Sequence, residues 1–157
     1  MNAEHFIRKL NLLPHPEGGY YKETYRSKES LELKTFGGQR NYSTAIYFLL
    51  EKDNFSAFHR IKSDELWHFY AGDTLEVIEI DSEGELKITE LGKENFQYCV
   101  PAGNWFGSRV KTGGEFSLVG CTVAPGFDFA DFEMAQREKL IKEFPKLETV
   151  INEMTRI

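Results

Sequence analysis

The first hydrophobic pattern along the chain is helical. In AEHFIRKLNL, Phe6, Ile7 and Leu10 recur three and four residues apart, and Pro14 ends the segment. The period then shortens to two. Tyr20 to Arg26 (YYKETYR) reads as a strand rich in tyrosine and threonine, opened by a turn at Gly18-Gly19. FGGQRN reads as a loop. STAIYFLL, apolar almost throughout, reads as a buried strand.

Short strands then follow one another: SAFHRI, ELWHFY, TLEVIEI, ELKITEL, NFQYCV, NWFGSRV and FSLVGCTVA. Turn residues separate them at Gly72-Asp73, Asp81 to Gly84, Gly92, Pro101 to Gly103 and Gly113-Gly114. Many short strands with regular turns predict an antiparallel barrel or sandwich. From Phe132 onward the helical period returns through Leu140, Phe144, Leu147, Ile151 and Met154, broken at Pro145. The expected plan is mainly β: a barrel with one N-terminal helix and one or two C-terminal helices on its outside. No repeat, low-complexity tract or linker divides the chain, so residues 1–157 read as one domain large enough for a genuine core.

Charge narrows the partners. The formal net charge is -6, and no run of lysine or arginine makes a basic face, which argues against nucleic acid. A small anion held by one or two arginines remains compatible. No stretch has the unbroken apolar length of a signal peptide core or a membrane span, so no membrane partner is expected. Two cysteines, Cys99 and Cys121, are too few for a disulfide framework and lead to the expectation of a reducing, cytoplasmic setting. Cys121, in the apolar run LVGCTVA, reads as a small core residue.

The chemistry concentrates in FHRIKSDELWHFYAGD, Phe58 to Asp73. Alternation along ELWHFY puts Glu65, Trp67 and Phe69 on one face and Leu66, His68 and Tyr70 on the other. Glu65 and His68 therefore share a cavity only if a bulge intervenes. The turn at Lys62 to Asp64 folds the preceding strand back, which lets His59 share a face with Glu65.

These residues resemble the first motif of the cupin superfamily, whose usual form is H-x-H, three or four residues, E, six residues, G. His59, Glu65 and Gly72 stand at the first histidine, the acid and the glycine, and Ile61 replaces the second histidine. PAGNWF is similar to the second motif, P-x-G-x-x-H, with Pro101 and Gly103 in place and Phe106 where the histidine belongs. PEGGYYKETYRS, STAIYFLL, ELWHFYAGD, VPAGNWFGSRV and LVGCTVAPGFDFADFE, in this order, resemble the cupin family 5 from about His15 to Glu133. The resemblance implies a double-stranded β-helix (jelly-roll) barrel, commonly a homodimer. It brings comparison with sugar-nucleotide epimerases but no activity established for the family as a whole.

The resemblance also bears on cofactors. The familiar cupin site holds a first-row divalent metal with three histidines and one glutamate. Here the matching positions are His59, Ile61, Glu65 and Phe106, so two ligands are gone, and no tightly bound metal and no other cofactor are expected. A barrel with one open mouth still makes a pocket for a small molecule. An imidazole beside a carboxylate suits acid–base work near neutral pH, with His59 as acid or base and Glu65 as its orienting partner. Equally, the two are a remnant pair satisfying each other inside the barrel.

Candidate ligand-binding residues are Trp67, Trp105 and Phe106 as aromatic walls, and Tyr20, Tyr25 and Arg26 on the early strand. Arg40 reads by default as a solvated arginine, and Glu133 as a residue near a helix start. His5 and His15 read as exposed and uninvolved, and Glu17, before Gly18-Gly19, is matched by the family pattern. The leading functional reading is a metal-independent isomerase, epimerase or lyase acting on a small polar, carbohydrate-like molecule. A binding or sensory cupin without chemistry is the alternative, and a metal-dependent oxygenase is a weaker one.

Overall fold

The computed structural model describes residues 1–157. Helix α1 (Ala3–Leu10) starts where the Asn2 side chain accepts the His5 N–H, and it stops at Asn11, which adopts the left-handed conformation at φ 54°. Thirteen strands follow. β1 (Leu13–Pro14), β2 (Tyr20–Arg26), β5 (Thr44–Glu51), β12 (Phe116–Ala124), β7 (Asp64–Gly72) and β10 (Gln97–Val100) form one antiparallel sheet in the order β1-β2-β5-β12-β7-β10. β13 (Glu133–Met134), β6 (Phe55–Arg60), β11 (Trp105–Val110), β8 (Leu75–Ile80) and β9 (Leu86–Leu91) form the second, in the order β13-β6-β11-β8-β9. β3 (Ser30–Leu33) and β4 (Gly38–Asn41) make a separate hairpin. Two facing antiparallel sheets with these crossovers are the expected jelly-roll barrel.

Apolar side chains alternate into three layers. Phe48, Leu50, Trp67, Val77, Phe106 and Val119 are among those that fill the space between the sheets. On the outside of the five-stranded sheet, Phe58, Ile78, Ile80 and Trp105 are covered by α2 (Arg137–Glu143) and α3 (Glu148–Glu153) through Leu140, Ile151 and Met154. On the outside of the six-stranded sheet, α1 covers Leu49, Phe116 and Leu118. No helix is long and apolar enough to cross a membrane.

Three departures from the expected elements matter. The segment around FGGQRN is not a plain loop, because Ser30–Leu33 pairs with Gly38–Asn41. Glu133 does not begin a helix. It lies in β13, opposite Arg60, and its carboxylate accepts the Arg60 guanidinium at 2.8 Å. Arg40 is buried rather than solvated, and its guanidinium grips Asp131 through two hydrogen bonds, of 2.7 and 2.8 Å.

Candidate active site

A cavity of about 430 Å³ opens at one end of the barrel, and its polar floor is formed by His15, Glu17, His59 and Glu65. That size and its mixed apolar and polar lining suit a small organic ligand. Irregularities in the strands aim several of these groups. In β2, a register shift between Glu23 and Tyr25 lets Tyr21, Glu23 and Arg26 all face inward, where simple alternation would have turned Arg26 out. In β6, the two residues between Ser56 and His59, Ala57 and Phe58, oppose the single Gly107 of β11, so the strand bulges there. The Ala57 N–H, freed from the ladder, donates to the Glu17 carbonyl at 3.0 Å.

That bond explains the Gly18-Gly19 pair. A Cβ on Gly18 would sit 2.0 Å from the Phe55 carbonyl oxygen, and the residue has φ 115°. Only glycine lets the loop press this close to β6. With the loop so placed, Glu17 Oε2 lies 3.1 Å from His59 Nε2, and its Oε1 lies 3.6 Å from His15 Nδ1. His59 Nδ1 stands 2.7 Å from the Ala57 carbonyl, an acceptor only, so this nitrogen carries the proton and Nε2 presents its lone pair to Glu17. The ring is held between Phe106, with centroids 4.2 Å apart, and Phe132 at 5.2 Å.

Burial sets the protonation of the site. It raises Glu17 to about 7 and lowers His59 to about 4. It raises Glu65 to about 8, and the neighbouring Glu17 charge pushes in the same direction. His15 is lowered, also by burial first. At neutral pH both imidazoles are therefore neutral, Glu65 holds its proton, and Glu17 sits near half-ionisation. Glu65 Oε2 is buried and accepts and donates no hydrogen bond, and the Trp67 indole N–H is likewise without a partner.

The expected site residues divide. His59 and Glu65 do share the cavity, but the partner of His59 is Glu17, not Glu65. Arg26 lines the mouth. Tyr20 does not, since it alternates with Tyr21 and packs toward α1. Tyr25 sits beyond the β2 irregularity and is 54% exposed on the outside. Trp105 and Phe106 are adjacent on one strand and must point oppositely. Trp105 goes outward under α2 and α3 with Arg60 over its ring at 4.2 Å. Phe106 goes inward with Trp67 into the barrel core, behind His59 rather than at the mouth. His68 stays on the outer face, bonded to Thr122 and Gln97, because the bulge in β7 falls after Phe69.

Two residues read from the sequence as uninvolved or incidental belong to the site. His15 is not exposed: its side chain is 8% accessible, it lines the cavity, and its Nδ1 accepts the Glu17 N–H at 3.1 Å. The sequence marks Glu17 only as matched by the family pattern before the glycine pair, with no role attached. Cys121 is buried as expected, its thiol raised by burial, and it also touches the cavity.

The sequence profile described as Cupin superfamily (DUF985) matches residues 4–135. The chain belongs to this cupin family. It is 31% identical to the uncharacterized protein YML079W of Saccharomyces cerevisiae over 159 residues, covering 90% of this chain and 79% of that one. A hypothetical protein from Leishmania major is similar in structure with a TM-score of 0.94 at 37% identity, covering all of both chains. Protein SO0799 from Shewanella oneidensis gives 0.90 at 40% identity, over 99% of this chain and 98% of that one. Oxalate decarboxylase from Bacillus subtilis matches at 0.60 with 15% identity, over 90% of this chain and 36% of its own, a likeness of fold alone.

The metal sphere familiar in cupins does not fit these residues. Ile61 and Phe106, at two of its four positions, are apolar and buried. No three His, Cys, Asp or Glu side chains anywhere in the protein are grouped to hold a metal ion.

Proposed function

We propose that the protein is a metal-independent acid–base isomerase, epimerase or lyase acting on a small polar, carbohydrate-like molecule held in the barrel. The observation that carries this is the Glu17–His59 contact of 3.1 Å at the cavity floor, with the imidazole tautomer fixed by Ala57. A carboxyl raised to about 7 is matched to proton transfer at neutral pH. It stands on the loop pressed against the five-stranded sheet, while Glu65, raised to about 8 and protonated, stands on the six-stranded sheet. Glu17, backed by His59, takes a proton from a substrate carbon or hydroxyl, and Glu65 delivers one from the other sheet. Phe106 and Phe132 hold the His59 ring and keep bulk water from it.

The test is exchange of substrate C–H for deuterium in D2O, followed by NMR over a panel of monosaccharides and their amino derivatives. Protein-dependent exchange, lost in Glu17→Gln and in His59→Ala, supports the reading. Binding without exchange at any position would replace it with a sensory cupin. We further propose that two copies associate, because the edge strand β9 carries exposed Leu86 and Ile88 and exposed Phe96 stands just before the edge strand β10. A monomer mass by light scattering would overturn that.

A further inference from the structure

The charges around the cavity are lopsided. Four carboxyls line it, Glu17, Glu23, Glu65 and Asp128, against one guanidinium, Arg26. That guanidinium is already engaged: it donates to Glu23 at 2.6 Å, to Asn41 Oδ1 at 2.8 Å and to the Phe127 carbonyl at 3.1 Å. Neither floor imidazole supplies positive charge. His15 Nδ1 accepts a backbone N–H, His59 Nδ1 donates to a backbone carbonyl, and burial disfavours the charged form of both. A carboxylate or phosphate at the floor would meet acids and no free base.

Two further features point to the opposite charge and to the frame that bears it. Glu65 is only 9% exposed, lines the cavity, and makes no hydrogen bond of normal geometry, the unpaired Trp67 N–H being the polar group beside it. An unpartnered buried carboxyl is costly unless a ligand completes it. The upper walls are aromatic: Phe127, Phe129 and Phe132 pack edge to face with centroids 5.0 to 6.2 Å apart, and Phe129 remains 58% exposed at the mouth. Carboxylates attract the ammonium itself, and ring faces pack against the C–H faces of the frame that carries it.

We propose that the cavity takes a small organic cation, an ammonium borne on a polar, hydroxylated frame, with the ammonium against Glu65 and Glu17 and the frame against Phe127, Phe129 and Phe132. This names the substrate class for the acid–base reading above and rests on that reading only for turnover, not for binding. The ammonium offers N–H donors to the cavity-facing oxygen of Glu65 and to Glu17. Seating it ionises the half-protonated Glu17 and leaves Glu65 its proton, with the Glu65 carbonyl oxygen accepting an N–H, so binding releases a fraction of a proton to solvent. The other titratable and charged groups facing them are His15, His59, Cys121, Glu23, Asp128 and Arg26, and none of these has to change state.

The experiment follows the two indole N–H signals of 15N-labelled protein while ethanolamine or D-glucosamine is added. Ethylene glycol, D-glucose, acetate and D-glucuronate serve as neutral and anionic counterparts. Trp67 lies close enough to the Glu65 carboxyl to lower its pKa, whereas Trp105 lies outside the barrel under the C-terminal helices. The expected result is a saturable shift of Trp67, not Trp105, with the amines alone. Calorimetry in buffers of different ionisation enthalpy should show proton release. Glu17→Gln should weaken amine binding roughly 10- to 100-fold, the range carried by a charge-assisted hydrogen bond.

No response of Trp67 to either amine overturns the proposal, as does equal or stronger binding of the neutral or anionic counterparts. Deuterium exchange on the same samples separates the two claims. Amine binding without exchange sinks the enzyme and leaves the ligand class. Exchange into D-glucose without amine preference does the reverse.

Discussion

His15 and His59 flank the Glu17 carboxyl and are held in opposite tautomers. His15 Nδ1 accepts the Glu17 N–H, so its proton is on Nε2, while His59 Nδ1 donates to the Ala57 carbonyl, so its Nε2 is bare. Only the second arrangement turns an acceptor toward the carboxyl at hydrogen-bond distance. Long-range 1H–15N correlation spectra at neutral pH should show one Nε2-protonated and one Nδ1-protonated buried imidazole. The signal assigned to His59 should stay neutral on acidification until about pH 4. An Nε2-protonated His59 would dissolve the proposed acid–base pair.

The glycine at position 18 is what brings Glu17 to His59. Gly18→Ala places a methyl 2.0 Å from the Phe55 carbonyl and forces φ 115° on an L side chain. The backbone cost alone is about 1–3 kcal/mol, and the loop must lift away from β6 to relieve the clash. Urea denaturation should show a loss of at least that size. Deuterium exchange into substrate, if the wild type supports it, should fall in parallel with Glu17→Gln. A fully stable and active Gly18→Ala protein would show that the loop's close approach is dispensable.

Most of the fold was legible because strands announce themselves by period and turns by Gly, Pro, Asn and Asp. The β2, β5 to β12 and α1 segments fall within a residue or two of their expected places. What the period could not show was its own interruption. The irregularity in β2 turns Arg26 inward and leaves Tyr25 outside, and the bulge in β6 frees Ala57 to hold Glu17. His59 and Glu65 were reachable from alternation and a family likeness, but their proximity did not make them a pair. The true partner came from a loop where no period exists, and its sequence trace was two glycines whose purpose is a backbone approach. The β3–β4 hairpin, and with it the burial of Arg40, escaped because its strands are short and largely polar.

An ion pair braces the mouth of the cavity. Asp131 ends the 3-10 turn Phe129–Asp131, next to Phe127 and Phe132 at the opening, and it is held by both arms of Arg40. Asp131→Asn removes the charge while keeping the shape, so the bidentate clamp weakens. Hydrogen exchange should then quicken in residues 126–133 and leave the β5, β7 and β12 strands protected. Uniform loss of protection across the sheets would mean the pair supports the whole barrel instead.

The pH dependence of stability follows from buried groups whose shifts oppose one another, Glu17 and Glu65 against His59 and, in the same direction as His59, His15. Glu17 and Glu65 are raised from 4.5 to about 7 and about 8, so the native state keeps protons that the unfolded chain has released. Their contribution is intact below pH 4.5 and is lost as pH rises through those values. His59, lowered from 6.5 to about 4, acts the other way, and stability rises from pH 4 to 6.5 as the unfolded chain gives up its proton. From pH 4.5 to 6.5 two native-held protons are set against the one that His59 leaves on the unfolded chain and part of a second from His15, which burial also lowers, so stability changes less steeply than above that range. From 6.5 to 7 stability falls, and from 7 to 8 the decline continues through Glu65 alone. Each net proton is worth about 1.4 kcal/mol per pH unit. Urea midpoints should therefore be higher at pH 5 than at pH 8. Glu65→Gln deletes the longest-acting of these groups, so the difference between the two pH values should shrink, and what remains should be confined below pH 7. A variant with the wild-type difference intact would mean that Glu65 is ionised in the folded protein at neutral pH, and with that its role as proton donor would fail.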